Sequence, residues 1–141
     1  MAVESWTVGD LLQWATDTDE ELDVRIRRSG SVRIVDLCGD VDAYTCSKLR
    51  GAILDLLKRG ELRLVVGMAD VEYIDSSGLG TLVAALISIS EHNGDFAISG
   101  ASPQVRKALA VTGLSKILPL FSSEADAIRS FESEEALPAA A

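Results

Sequence analysis

The chain has little of what several broad classes of function require. In 141 residues it holds two cysteines and one histidine. No apolar run approaches the roughly 20 residues that span a bilayer as a helix. No basic segment followed by an apolar stretch opens the chain, as a secretory leader would. These absences predict a cytoplasmic protein without a membrane partner. Cytosolic disulfides are uncommon, so Cys38 and Cys46 are expected to be reduced. Cys38 reads as a buried strand residue and Cys46 as part of the first turn of the next helix. Both then act as small hydrophobes, with a redox switch as the lesser alternative. His92, alone beside two cysteines, cannot assemble a zinc site. A G-x-S-x-G elbow is lacking. A Ser77–His92 pair would be separated by 15 residues of one expected helix, or about 22 Å. An enzyme is therefore not expected, nor a metal or cofactor of the chain's own.

Positive charge is also scarce. Residues 1–23 contain Glu4, Asp10, Asp17, Asp19, Glu20, Glu21 and Asp23 and no Lys or Arg. Of the formal net charge of −9, that segment carries −7; the rest, with 15 acids against 13 bases, carries −2. Nucleic-acid binding needs a basic patch to replace phosphate counterions, so it is not expected as a direct activity. Any effect on transcription must pass through another protein.

What remains is an ordinary soluble composition, 48% hydrophobic and 25% charged, in a chain long enough for one well-buried domain. Val24-Arg25-Ile26-Arg27 alternates as a half-buried strand does. Ser29-Gly30-Ser31 turns it into Val32–Leu37, giving a hairpin. Ala43 to Lys58 reads as a helix with Leu49, Ile53, Leu56 and Leu57 on one face, ended by Gly60. Leu62–Val66 suits a strand covered on both sides. A helix from about Ser77 to His92 is closed by Asn93-Gly94, and Phe96–Ile98 is the next buried strand. Ser102 caps a helix with Pro103 in its first turn. A last helix, Glu124 to about Glu135, turns Ala125, Ile128 and Phe131 inward. Strands alternating with helices predict an α/β fold: a small, mostly parallel sheet of four short strands, helices mainly on one face. There is no internal repeat, and the only biased stretch is the Ala-rich end after Pro138.

The densest motif is Tyr73-Ile74-Asp75-Ser76-Ser77-Gly78-Leu79-Gly80-Thr81. It follows the apolar strand and opens a segment in which Leu79, Leu82, Val83, Leu86 and Ile87 keep helical spacing. Two hydroxyls and a carboxylate thus sit at a helix N-terminus, where unpaired N–H groups and a partial positive charge favour anions. Three readings compete. Asp and Ser are good helix caps. Gly78-Leu79-Gly80 begins a dinucleotide fingerprint, but Val83 stands where its third glycine belongs. The third reading is a phosphoacceptor serine. Chemistry alone does not choose between Ser76 and Ser77. Asp40, Asp42 and Asp75 fall at or just past strand C-termini, where α/β sheets bind ligands. Asp40 and Asp42 also read as caps of the helix at Ala43.

Asp75-Ser76-Ser77-Gly78-Leu79-Gly80 after a strand resembles the signature of anti-sigma factor antagonists, the bacterial branch of the STAS domain family. Gly39-Asp40-Val41-Asp42, with Lys48-Leu49-Arg50 after it, is similar to the family's upstream pattern. Ser102-Pro103-Gln104-Val105 through Leu109, with Thr112-Gly113-Leu114, is a third match. All three agree in order and spacing over roughly residues 24 to 130. The resemblance implies the STAS fold, a four- to five-stranded sheet. It implies a protein that binds an anti-sigma factor serine kinase, frees a sigma factor and is inactivated by phosphorylation of Ser76, the serine directly after Asp75. It also implies a serine phosphatase as partner. The partner-binding surface would comprise Asp40, Asp42, Tyr44, Asp75, Ser77, Gly78 and Leu79. ATP and Mg²⁺ would come with the kinase. The helix N-terminus would accept the phosphate without refolding. The alternative is a STAS module that scaffolds a larger signalling or transport complex, or binds a small ligand. The absence of apolar spans argues against the anion-transporter branch, unless the chain is an excised piece.

Residues 1–22 form an acidic extension beyond the family's minimal pattern, ahead of a domain at 23–136 and a tail at 137–141. Thr7 can cap a short helix with Val8, Leu11, Leu12 and Ala15. Both tryptophans, Trp6 and Trp14, are here. The segment either folds back on the domain or forms a partner or self-association surface, which would make a homodimer; exposed Trp favours such contacts.

Overall fold

Hydrophobic alternation sets the sheet. In the computed structural model, which describes residues 22–140, strand β1 (Leu22–Ser29) and strand β2 (Val32–Gly39) pair antiparallel from Leu22–Gly39 to Ser29–Val32. The hairpin turns through Gly30 at φ +60°, a left-handed conformation that two-residue hairpin loops require and glycine adopts freely. β3 (Arg63–Asp70), β4 (Asp95–Ser99) and β5 (Leu120–Phe121) add in parallel, in the order β1-β2-β3-β4-β5. The crossovers are helices α1 (Cys46–Lys58), α2 (Ser76–Glu91) and α3 (Pro103–Val111), and α4 (Glu124–Ala140) closes the described chain.

The two faces of β2 show how the layers divide. Val35 and Leu37 join Leu49 and Ile53 of α1, Leu82 and Ile89 of α2, and Leu109 of α3 in the main core. Val32 and Ile34 point the other way, with Val65 and Ala97, onto Ala127 and Phe131 of α4. Three helices therefore cover one face and one covers the other, as expected. Each fully buried Leu or Ile contributes about 1.5–3 kcal/mol relative to exposure. Beyond Ile34 the second face turns polar. Arg27 on β1 pairs with Asp36 on β2 and with Glu124 at the start of α4, and its hydrogen bonds to these carboxylates hold the guanidinium charged above its ordinary range. Gly67 makes room for this cluster, since a Cβ there would lie 2.5 Å from Asp36 Oδ1.

The helices stop where the sequence places their signals. Gly60 (φ +79°) follows α1, its N–H donating to Leu57 O and that of Glu61 to Leu56 O. Asn93 (φ 60°) plays the same part after α2, with Gly94 N–H donating to Ile89 O at 2.9 Å. Both are left-handed C-caps that satisfy otherwise orphaned carbonyls. Ser102 Oγ accepts from Val105 N–H, and Pro103 occupies the first helical position of α3.

Several details differ from expectation. Cys38 is exposed, not buried; Leu37 takes the main core, and alternation turns Cys38 toward the second face, where buried contacts end at Ile34. Cys46 is buried as expected. α1 begins its regular turns at Cys46 rather than Ala43. The buried stripe of α2 is Gly78, Leu79, Thr81, Leu82, Ala85 and Ile89, which leaves Ile87 exposed; small residues, not only large ones, set the packed side. On α4 the inward residues are Ala127 and Phe131 with Ile128 partly buried, while Ala125 is exposed; Phe131 and its neighbour one turn back define that face. α4 runs past Glu135, through what the sequence reads as a tail. The two-residue β5 is too short to carry a period, and forms because Ile98 N–H reaches Pro119 O and Gly100 N–H reaches Phe121 O.

Two glycines test this packing in opposite directions. A Cβ at Gly94 would come within 2.3 Å of Leu62 O, whereas one at Gly51, inside α1, meets nothing within 4 Å. Gly94→Ala should lower stability by about 1–3 kcal/mol through overpacking. Gly51→Ala should raise it by about 0.5–1 kcal/mol through helix propensity. Urea unfolding of both variants checks the pair of signs.

Candidate functional site

The three motif aspartates meet at the C-terminal edge of β2 and β3. The chain leaves β2 at Gly39 (φ 120°) and leaves β3 at Asp70. The two departing segments then touch again. Val41 and Ile74, both buried, form an isolated parallel bridge, with Val41 N–H donating to Tyr73 O and Asp75 N–H donating to Val41 O, each at 3.0 Å. The bridge continues the sheet by one rung and sets the loop before α1 beside the loop before α2.

Asp75 locks that arrangement. It is the N-cap of α2. Its Oδ1 accepts from the N–H groups of Ser77 at 2.9 Å and Gly78 at 3.1 Å. Its Oδ2 accepts from Ala43 N–H at 3.2 Å, across the bridge. One carboxylate thus caps a helix and ties it to the neighbouring loop. The approach is close enough to need glycine. A Cβ at Gly78 would lie 2.7 Å from Val41 O and 2.7 Å from Ile74 Cγ1.

The second loop is organised by Asp42 and Thr45. Asp42 Oδ1 accepts from Tyr44 N–H and Thr45 N–H, and Thr45 Oγ1 accepts from Asp42 N–H. Thr45 Oγ1 also donates to Asp40 O at 2.8 Å. The reciprocal pair three residues apart is a capping box in form, and Cys46 N–H already donates to Asp42 O. Asp42 therefore caps a turn at Ala43 as expected, one turn ahead of the regular helix. Asp40 takes part through its carbonyl, not its carboxylate. Thr45, fully buried, and the Val41–Ile74 bridge were not singled out from the sequence. The spacing Asp42-x-x-Thr45 is the signal that carries the first; the bridge has none.

Ser76 is the first residue of α2 and is exposed. Ser77 is half-buried and its carbonyl accepts from the Thr81 hydroxyl, which is itself buried. Tyr44 and Tyr73, in the two loops of the site, are 71% and 53% exposed. Asp40, Asp70 and Glu72 stand exposed on the same edge, so the rim is acidic. Gly78 and Leu79 are buried and support this surface from beneath. The helix N-terminus is less open to an anion than the sequence suggests, because Asp75 already holds the N–H groups of the second and third helical residues.

Asp75 gives a test of this construction. Asp75→Ala should lower stability by about 1–2 kcal/mol, as loss of an N-cap does. Asp75→Asn keeps a carbonyl oxygen for the helix N–H groups while losing the second acceptor. Amide hydrogen exchange should therefore quicken at Ala43 in both variants, and at Ser77 and Gly78 mainly in the Ala variant.

The family model described as STAS domain matches residues 23–127. The anti-sigma F factor antagonist of Paenibacillus polymyxa is 28% identical over 112 residues, covering 79% of this chain and 96% of the relative. Among solved structures, an anti-sigma factor antagonist from Mycobacterium paratuberculosis superposes with a TM-score of 0.73 at 25% identity, covering 79% of this chain and 94% of the other. The Bacillus cell fate determinant SpoIIAA in its phosphorylated form superposes with a TM-score of 0.61 at 19% identity, covering 77% and 98%, which bears on the fold alone. With the bridge, the capped helix and the sheet order all in place under that match, the chain belongs to the STAS domain family.

Proposed function

We propose that this protein is an anti-sigma factor antagonist. On this reading it docks an anti-sigma factor serine kinase on the edge formed by Asp40, Asp42, Tyr44 and the Asp75–Ser77 turn, and thereby frees a sigma factor. Phosphorylation of Ser76 ends the interaction, and a serine phosphatase restores it, all in the cytoplasm. The relatives named anti-sigma factor antagonists support the role. The single observation that carries the site is the exposure of Ser76 at a rigidly capped helix start. Its competitors are poorer acceptors: Ser77 is half-buried and Thr81 is buried and hydrogen-bonded.

The geometry also supports a mode of switching. A phosphoserine carries about −1.5 to −2 charges at neutral pH. The nearest helix donors, Ser77 N–H and Gly78 N–H, are bonded to Asp75. A phosphate on Ser76 cannot take them without displacing a carboxylate that also holds Ala43. It therefore projects outward, onto an already acidic rim. A partner fitted to a neutral hydroxyl meets a buried, uncompensated charge, a penalty of several kcal/mol when unpaired. The chain acts here as the substrate and ligand of other proteins, and its chemistry is recognition.

The test uses the cognate kinase. After incubation with ATP, peptide mapping should find the phosphate on Ser76; phosphate on Ser77 or Thr81 with Ser76 unmodified would contradict the assignment. In calorimetric titrations Ser76→Ala should bind and resist inactivation. Ser76→Asp should bind at least tenfold more weakly, a difference of about 1.4 kcal/mol or more. Both variants should unfold within about 0.5 kcal/mol of the parent, because the position is exposed.

A further inference from the structure

Away from Ser76, helices α1 and α2 leave a groove of about 120 Å³ between them. Its walls are Ile53, Leu54 and Leu57 on α1 and Ala84 and Ala85 on α2, with Arg50 at one side. Leu54 is 45% exposed, and Ile87, one turn along from Ala84, is 54% exposed. The volume is on the scale of one aromatic ring, since a cavity of about 150 Å³ holds benzene. It is too small for a whole helix and suits a single anchoring side chain in a larger contact.

We propose that the occupant is the chain's own N-terminal segment, residues 1–21, anchored by a tryptophan. Three observations favour it. The first is where the described chain begins. Leu22 is fully buried and pairs with Gly39 at the C-terminal end of β2. That is the edge at which α1 starts, and α1 packs against β1. The groove begins at Arg50, four residues into α1, or about 6 Å along it. The five residues Asp17–Glu21 alone can bridge roughly 16 Å when extended. The second is composition. Trp6, Val8, Leu11, Leu12 and Trp14 give this segment large apolar side chains, and Val8, Leu11, Leu12 and Ala15 keep helical spacing. The third is charge. Residues 1–21 carry six acids and no Lys or Arg. The groove lining contains Arg50 and no acid, and Lys58 lies exposed at the end of the same helix. Attachment to β1 makes the contact intramolecular, so a weak groove can be filled at high effective concentration. The tether thereby covers the apolar seam of the two helices whose N-termini build the Ser76 surface.

The full chain provides its own probe, because Trp6 and Trp14 are its only tryptophans. Acrylamide quenching of their emission is measured at a concentration where sedimentation shows monomer. The folded chain should be quenched several-fold less than the urea-unfolded chain. Leu54→Glu and Ala84→Glu, both at exposed positions, should each abolish that protection without altering the far-ultraviolet circular dichroism. A nuclear Overhauser contact between an indole and the methyl groups of Leu54 or Leu57 should appear in the parent chain, which reads the docking without any substitution. Quenching of the folded chain equal to that of the unfolded chain overturns the proposal. So does protection that survives both groove variants, and so does protection that disappears on dilution together with a dimer, which would assign the groove to a second copy.

Discussion

The site depends on one carboxylate. Asp75 accepts three backbone N–H groups, two from the start of α2 and one from Ala43, 32 residues before it in the chain. Each bond alone is worth only about 0.5–1.5 kcal/mol net, and up to about 3 with a charged acceptor. Their arrangement matters more than their sum. Two of the three belong to the orphaned donors of α2, which every helix start must satisfy. The third crosses to the loop before α1. A requirement of helix formation is thereby coupled to the relative position of two loops, and anything that displaces the carboxylate loosens both.

Around that clamp the other features follow as conditions. The Val41–Ile74 bridge brings the loops within reach. Gly78 is obliged to be glycine because α2 starts against Val41 O and Ile74. Thr45 and Asp42 hold the partner loop by a reciprocal pair of bonds. The outcome is a stiff surface on which Ser76, Tyr44 and Tyr73 are exposed. Stiffness is what the proposed charge-operated switch would use. A flexible loop would move a phosphate aside, while a clamped one presents it to the partner. The same clamp explains why Ser76, and not the helix interior, is the proposed point of modification.

Much of the fold was legible because its signals are local. The β1–β2 hairpin announced itself through alternation and Gly30. The ends of α1 and α2 were marked by Gly60 and Asn93-Gly94, which occupy left-handed caps. The parallel order followed from strands alternating with helices. The misreadings are of a different kind. Cys38 was placed inside because its strand is apolar, but only one face of β2 near Gly39 is covered. Ile87 fits the helical period yet lies outside, because Gly78, Thr81 and Ala85 let α2 pack on its small-residue side. Ala125 gave way to Ala127 for lack of any marker except Phe131. At the site, Asp40, Asp42 and Asp75 were readable from their places at or past strand ends, while the choice of Ser76 over Ser77 came from the family resemblance. The bridge between Val41 and Ile74, and the reach of Asp75 to Ala43, join residues distant in the chain, and no local pattern encodes them. The short helix expected in the acidic extension lies outside the described residues, which begin at Leu22.

The central claim is that phosphate on Ser76 changes the surface and leaves the fold alone. The most direct measurement is a comparison of backbone amide spectra of the chain with serine and with phosphoserine installed at position 76. The account predicts shifts confined to the loop around residues 40–46 and to residues 73–80, with the amides of β3, β4 and α3 unmoved. Shifts spread through the sheet, or loss of the Val41–Ile74 bridge in the phosphorylated chain, would contradict it.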